Sequence, residues 1–118
     1  MKLLTKALRK KLPPLYATEN QKDPMVICKF FCGSWTWWAT EFDGKDTFFG
    51  YVDGLEAELG YFSLSELEQV KVNAPFRIII DGKEHLSAYP ILVERDLYFK
   101  PRRLSVIKAE VRKRRAGL

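Results

Sequence analysis

Apolar residues recur along this chain in two periods, and the change from one to the other marks out its elements. Leu4, Leu8 and Leu12, with Leu3 and Ala7 beside them, follow helical spacing, and lysine and arginine fill the other face. The spacing predicts a short amphipathic helix over about residues 1–12. Pro13-Pro14 stops it, because the residue before a proline is pushed out of the helical region. A polar connection, LYATENQKD, leads to a turn at Asp23-Pro24. From Met25 the period drops to two. Val26, Cys28, Phe30 and Cys32 share one face of a strand, and Met25, Ile27, Lys29 and Phe31 share the other.

Gly33-Ser34 turns the chain into WTWWATEFDGKDTFFGYV, residues 35–52, which holds all three tryptophans. Asp43-Gly44 between two aromatic, β-branched runs predicts a hairpin, since glycine accepts the positive φ of the turn. Strict alternation sends Trp35, Trp37, Ala39 and Glu41 one way and Thr36, Trp38, Thr40 and Phe42 the other. Asp53-Gly54 makes a further turn before a strand over Glu58–Phe62, so four consecutive strands form an antiparallel meander.

Ser63-Leu64-Ser65-Glu66 has the form of a capping box and opens a helix over about Leu64–Lys71, with Leu64, Leu67 and Val70 toward the sheet. Asn73-Ala74-Pro75 is expected to end that segment. A strand over Phe76–Ile80, a turn at Asp81-Gly82 and a return through Glu84–Ala88 make a second hairpin. Tyr89-Pro90 is expected to interrupt it, with an extended stretch resuming over Ile91–Phe99. Pro101 precedes a last helix over about 103–116, whose stripe is Leu104, Ile107 and Val111. The expected fold is a single α+β domain over 1–118. It is a mostly antiparallel β-sheet flanked by short helices at the N-terminus, middle and C-terminus.

Composition adds little until charge is followed along the chain. The hydrophobic fraction of 47% is too high for a disordered chain, and 118 residues suffice for a core without staples. The net charge of +5 hides a strong asymmetry. Residues 1–11 carry five basic residues and no acid, and residues 100–115 carry eight basic residues against Glu110 alone. The middle, 12–99, carries seven basic and fourteen acidic residues. Such ends serve either as basic arms for a polyanion or as arms folded back on an acidic body. No apolar run approaches the ~20 residues of a membrane span, and the N-terminus lacks a signal-peptide core, so the expected location is cytoplasmic.

The candidate chemistry is thin. Cys28 and Cys32 lie four apart on a strand, about 13 Å from each other, beyond disulfide reach, and are expected as buried, inert thiols. Two cysteines and the single His85 do not make up a zinc set, and no metal or other cofactor is expected. Glu41, Asp43, Asp46, Asp53, Glu56, Glu58, Glu94 and Asp96 would have to converge to hold magnesium. Asp43 and Asp81 are already accounted for as turn residues. No nucleophile elbow or phosphate loop is present, and the protein is expected not to be an enzyme.

The segments LPPLYATEN, WTWWATEFDG, FFGYV, ELGYFSLSELE and ERDLYFKPRRLS together resemble a family of small bacterial proteins of unknown function, common on plasmids, phages and other mobile elements. The resemblance spans about Leu3–Val106. It implies no catalytic residue. Relative to that family, the segment from about Val72 to Tyr89 is longer, and the basic tail after Val106 is an extension.

The function expected from these features is a non-enzymatic accessory protein of a mobile element. It would bind nucleic acid or a nucleoprotein complex through Lys6, Arg9 and Lys10 at one end and Arg102, Arg103, Lys108, Arg112, Arg114 and Arg115 at the other. Most of the tryptophans are expected in the core, with Trp37 or Trp38 left partly exposed as an interaction surface. The alternative is a protein-binding module, such as an inhibitor of a host defence complex, acting through an acidic or aromatic sheet surface. A homodimer through the stripes of the terminal helices fits either reading. No membrane partner is expected, because neither helix places tryptophan or phenylalanine on its apolar face.

Overall fold

A computed structural model describes residues 1–117, with the backbone alone at 73–76, 78 and 87–89. The chain order is α1 (Lys6–Lys11), β1 (Met25–Val26), β2 (Cys28–Cys32), β3 (Trp35–Phe42), β4 (Thr47–Asp53), β5 (Ala57–Ser63), α2 (Leu64–Gln69), β6 (Lys71–Ile80), β7 (Lys83–Leu92), β8 (Glu94–Arg95), β9 (Arg102–Arg103) and α3 (Leu104–Arg115). The fold is α+β, as the alternation of periods predicts. Its main sheet is antiparallel with strand order β5-β4-β3-β2-β8, so the four-strand meander is present and the Trp35–Val52 hairpin sits near its centre.

Each face of this sheet carries its own core. On the first, Phe30, Trp37, Ala39, Phe42, Phe48 and Phe62 pack with Leu3, Leu4 and Leu12 from the N-terminal segment and Leu64 and Leu67 from α2. On the second, Trp38 and Tyr51 pack with Val26 and with Leu104, Ile107 and Val111 of α3. Burying an aromatic or aliphatic side chain of this kind contributes roughly 1.5–3 kcal/mol, so two tryptophan-bearing faces stabilise a small sheet that has few leucines. Trp37 and Trp38 are both 8% exposed, which corrects the expectation that one of them would stay at the surface. A helix or chain segment covers each face. The tryptophan that does reach solvent is Trp35, at the start of β3, stacked on Trp37 with ring centroids 5.8 Å apart.

The expected alternation fails at two points. Ala39 pairs with Gly50 and Glu41 with Phe49, so Thr40 is an extra residue on β3, a β-bulge. Beyond it the faces exchange: Phe42 joins Trp37 in the first core, and Glu41 lies on the Trp38 side. A break at Ile27, whose N–H donates to the Ala39 carbonyl at 2.9 Å, does the same between β1 and β2. Val26 therefore packs in the second core while Cys28, Phe30 and Cys32 pack in the first. Both cysteines are free and buried.

The second hairpin is longer than its punctuation predicts. Strands β6 and β7 run ten residues each, pairing from Lys71 with Leu92 to Ile80 with Lys83, and pass through Pro75 and Pro90. A two-stranded ribbon has an outward edge on both strands, which is where a residue without an N–H is tolerated. Asp81 and Gly82, at φ 52° and 74°, form the two-residue turn that the sequence predicts. After β8 the expected extended stretch ends, because Asp96 Oδ1 accepts the Tyr98 N–H at 2.9 Å and turns the chain. α1 begins later than its leucine pattern, with Thr5 as N-cap accepting the Leu8 N–H at 3.2 Å.

Candidate interaction surfaces

The helix α3 is held at both ends by acids from the body of the chain. At its start Asp23 accepts the Ser105 N–H at 2.8 Å on Oδ1 and the Ser105 hydroxyl at 2.6 Å on Oδ2. These bonds to Ser105 hold the Asp23 carboxyl below its ordinary pKa, with the charges of Arg103 and Lys108 assisting. Residues 25–26 pair with 102–103, which fixes the chain just before the helix. At the far end Asp53, 2% exposed, receives Arg114 on Oδ2 and Arg115 on Oδ1, the latter at 2.6 Å. Arg115 also donates to the Leu55 carbonyl at 2.7 Å.

These contacts sort the predicted basic residues. Arg102 forms a fork with Glu110, whose carboxyl is held below its usual range by that guanidinium. Arg103 donates to the Asp23 carbonyl at 3.1 Å. Arg114 and Arg115 are drawn onto Asp53, so part of the C-terminal charge folds back on the acidic body. Lys108 and Arg112 have no ion pair among the described residues. They lie one turn apart on a single flank of α3, with the Lys108 ammonium 5.9 Å from the centroid of Tyr51.

Lys6, Arg9 and Lys10 stand exposed on α1, which covers the first core. Arg9 lies over Phe42, 5.3 Å from the ring centroid, and donates to the Gly44 carbonyl at 3.3 Å. The two basic ends cover opposite faces of the sheet and do not converge on one site.

Beside Lys108 a cavity of about 400 Å³ opens between α3, the second sheet face and the segment after α1, lined by Tyr16, Lys22, Glu41, Phe49, Leu59 and Tyr61 among others. Its buried carboxylate, Glu41, is 3% exposed. Oε1 accepts the Tyr16 N–H at 2.9 Å, and Oε2 accepts the Thr18 N–H at 2.9 Å together with the Thr18 hydroxyl. This grip holds Tyr16 at φ 70°, a conformation that a bulky residue rarely adopts. Tyr16 and Tyr61 remain exposed, and Tyr61 packs edge-on against Phe49 with centroids 5.0 Å apart. The neighbouring Tyr16 phenol raises the phenol pKa of Tyr61.

Lys22, Tyr16 and Tyr61 escaped the sequence reading because nothing in a polar connection or a short strand marks a residue that a neighbouring element will face. Strict alternation puts Glu41 on the other face, and the Thr40 bulge moves it to this one. Among the described residues no three histidine, cysteine, aspartate or glutamate side chains come together as a metal site. No helix among them is long and apolar enough to cross a membrane.

No curated protein and no solved structure matches the chain. A family match covers residues 3–90, taking in the meander, α2 and nearly all of the β6–β7 ribbon and stopping short of ERDLYFKPRRLS. The chain belongs to the family described as Protein of unknown function (DUF2958).

Proposed function

We propose that this chain is a non-enzymatic accessory protein of a mobile genetic element that binds nucleic acid, with α3 as its principal contact element. The mobile-element setting rests on the sequence resemblance, and the binding rests on charge. One observation supports the choice of α3: Lys108 and Arg112 share a helix flank and have no ion pair among the described residues, while Arg102, Arg114 and Arg115 are committed to internal carboxylates. Lys22, which lines the same cavity as Lys108, adds to that positive charge. The exposed Lys6, Arg9 and Lys10 of α1 form a separate patch, suited to a second strand or a second contact.

Binding of a labelled oligonucleotide across a salt series tests this reading. Each lost phosphate contact reduces the log–log salt slope by about 0.9 on duplex DNA. Lys108→Glu with Arg112→Glu is expected to weaken binding at least about tenfold at low salt and to flatten the slope by about two contacts. Charge reversal at Lys6, Arg9 and Lys10 is expected to have a smaller effect. Failure of the native chain to retain DNA or RNA at low salt overturns the proposal.

A further inference from the structure

We infer that the outer edge of β5 is a docking site for an extended segment of a partner protein whose side chains alternate between apolar and basic. This gives the protein-binding alternative a location and is independent of the nucleic-acid reading.

β5 is the last strand of the main sheet, and no strand lies beyond it among the described residues. Its seven residues pair with β4 in unbroken register from Ala57 opposite Asp53 to Ser63 opposite Thr47. Edge strands are ordinarily protected from further pairing by proline, lysine, a bulge or shortness. The sequence AELGYFS has no proline and no lysine, and its pairing has no bulge. Its outward N–H and C=O groups are a template for another strand.

The side chains say what kind of strand. Leu59 and Tyr61 lie opposite Tyr51 and Phe49, on the α3 side of the sheet, yet they are 43% and 56% exposed. An added strand would place its apolar side chains against them. Glu58 lies opposite Val52, on the other side, and is exposed, with Glu56 just before the strand. Next to it, a Cβ built on Gly60 would meet nothing within 4 Å, so this side of the edge is open. Basic residues on the partner would complement Glu58, since opposite charges across a ladder attract. A second copy pairing β5 with β5 would meet the apolar requirement but bring no cation to Glu58, because β5 contains neither lysine nor arginine. A nucleic-acid strand would meet the same carboxylate as a repulsion.

The probe is a fluorescent peptide of about nine residues, alternating valine and lysine, long enough to cover a strand of ordinary length. Two further versions are N-methylated on the odd or on the even residues. Strand addition uses only one edge of the peptide. One methylated version is therefore expected to bind at least about tenfold more weakly and the other about as well as the parent. Hydrogen exchange of the amides in 57–63 is expected to slow on peptide addition.

Leu59→Lys and Tyr61→Lys, both at exposed positions, are expected to abolish binding while the circular dichroism spectrum and melting temperature hold. Arg112→Glu, at a position outside the cavity lined by Leu59 and Tyr61, is expected to leave peptide binding intact while weakening oligonucleotide binding, separating this inference from the nucleic-acid one. Three results would overturn it: no binding up to about 1 mM peptide, equal binding by both methylated versions, or a native dimer that Leu59→Lys converts to monomer.

Discussion

Arg115 donates to Asp53 Oδ1 at 2.6 Å, and Arg114 meets the other oxygen of the same carboxylate. A buried acid at the end of the central hairpin thus anchors the last turn of the C-terminal helix with two guanidinium groups. The arrangement is redundant. Arg114→Ala or Arg115→Ala alone leaves one cation in place and is expected to lower the unfolding free energy by about 1 kcal/mol. The double substitution strands a buried carboxylate and is expected to cost about 3 kcal/mol or more. Urea unfolding of the two single variants and the double checks this, and additive losses would contradict the shared-anion account.

Gly50 and Gly60 face each other across β4 and β5, yet they carry different constraints. A Cβ on Gly50 would run into the Trp38 carbonyl, beside the Thr40 bulge, whereas one on Gly60 would meet nothing within 4 Å. Gly50→Ala is expected to destabilise the fold by about 3 kcal/mol, because a backbone must shift. Gly60→Ala is expected to change stability by less than about 0.5 kcal/mol. Thermal melts of the pair decide the matter, and equal melting temperatures would show that the sheet relaxes around Gly50.

Three depressed carboxylates contribute to acid sensitivity: Glu110, held by Arg102, and the pair Asp43 and Asp23, held by hydrogen bonds from backbone N–H and hydroxyl groups. Asp43 Oδ1 accepts the N–H groups of Lys45, Asp46 and Thr47 at 2.8, 2.8 and 3.0 Å, and these bonds hold its carboxyl below the ordinary value of 3.8. Asp23 is lowered in the same direction by Ser105. For a depressed carboxylate the unfolded chain binds more protons than the folded one. The stabilisation is therefore fully present above the unfolded pKa and is lost as pH falls through the folded one. Asp43→Asn and Asp23→Asn are each expected to flatten the acid limb of the urea midpoint plotted against pH. An unchanged limb in both variants would rule these carboxylates out as its source.

Burial pushes the Cys28 thiol up to about 12, and Cys32 moves in the same direction. Neither should form appreciable thiolate near neutral pH. An aromatic disulfide reagent is expected to label both thiols quickly in urea and only through unfolding in the native state. Rapid native labelling would show that one of the two reaches solvent.

The parts of this molecule visible in its sequence are those set by local chemistry. Asp43-Gly44 and Asp81-Gly82 mark their turns because few other residues adopt positive φ there. Ser63 caps α2 through the Glu66 N–H at 3.1 Å, as the Ser-Leu-Ser-Glu run predicts, and Leu104, Ile107 and Val111 are the buried stripe of α3. Thr40 could not be found this way, since a bulge adds one residue without altering composition, and every later residue on the strand then changes face. Pro75 and Pro90 misled because a proline interrupts a central strand but not the outward edge of a ribbon. The exposure of Leu59 and Tyr61 was equally hidden, because it depends on which strand ends the sheet. The opposite placement of the two basic ends follows from which face each helix covers, and amphipathicity alone does not choose a face.

The pairing of residues 25–26 with 102–103 carries a consequence for how the chain is made. The meander of residues 28–63 joins neighbours in sequence and can assemble as soon as they emerge from a ribosome. The second core cannot. Val26, Trp38 and Tyr51 wait for the twelve residues of α3, which are synthesised after the whole meander. Until then Trp38 and Tyr51 on the second face are wet, and a chain interrupted before Leu104 presents that surface to its neighbours as a nucleus for aggregation.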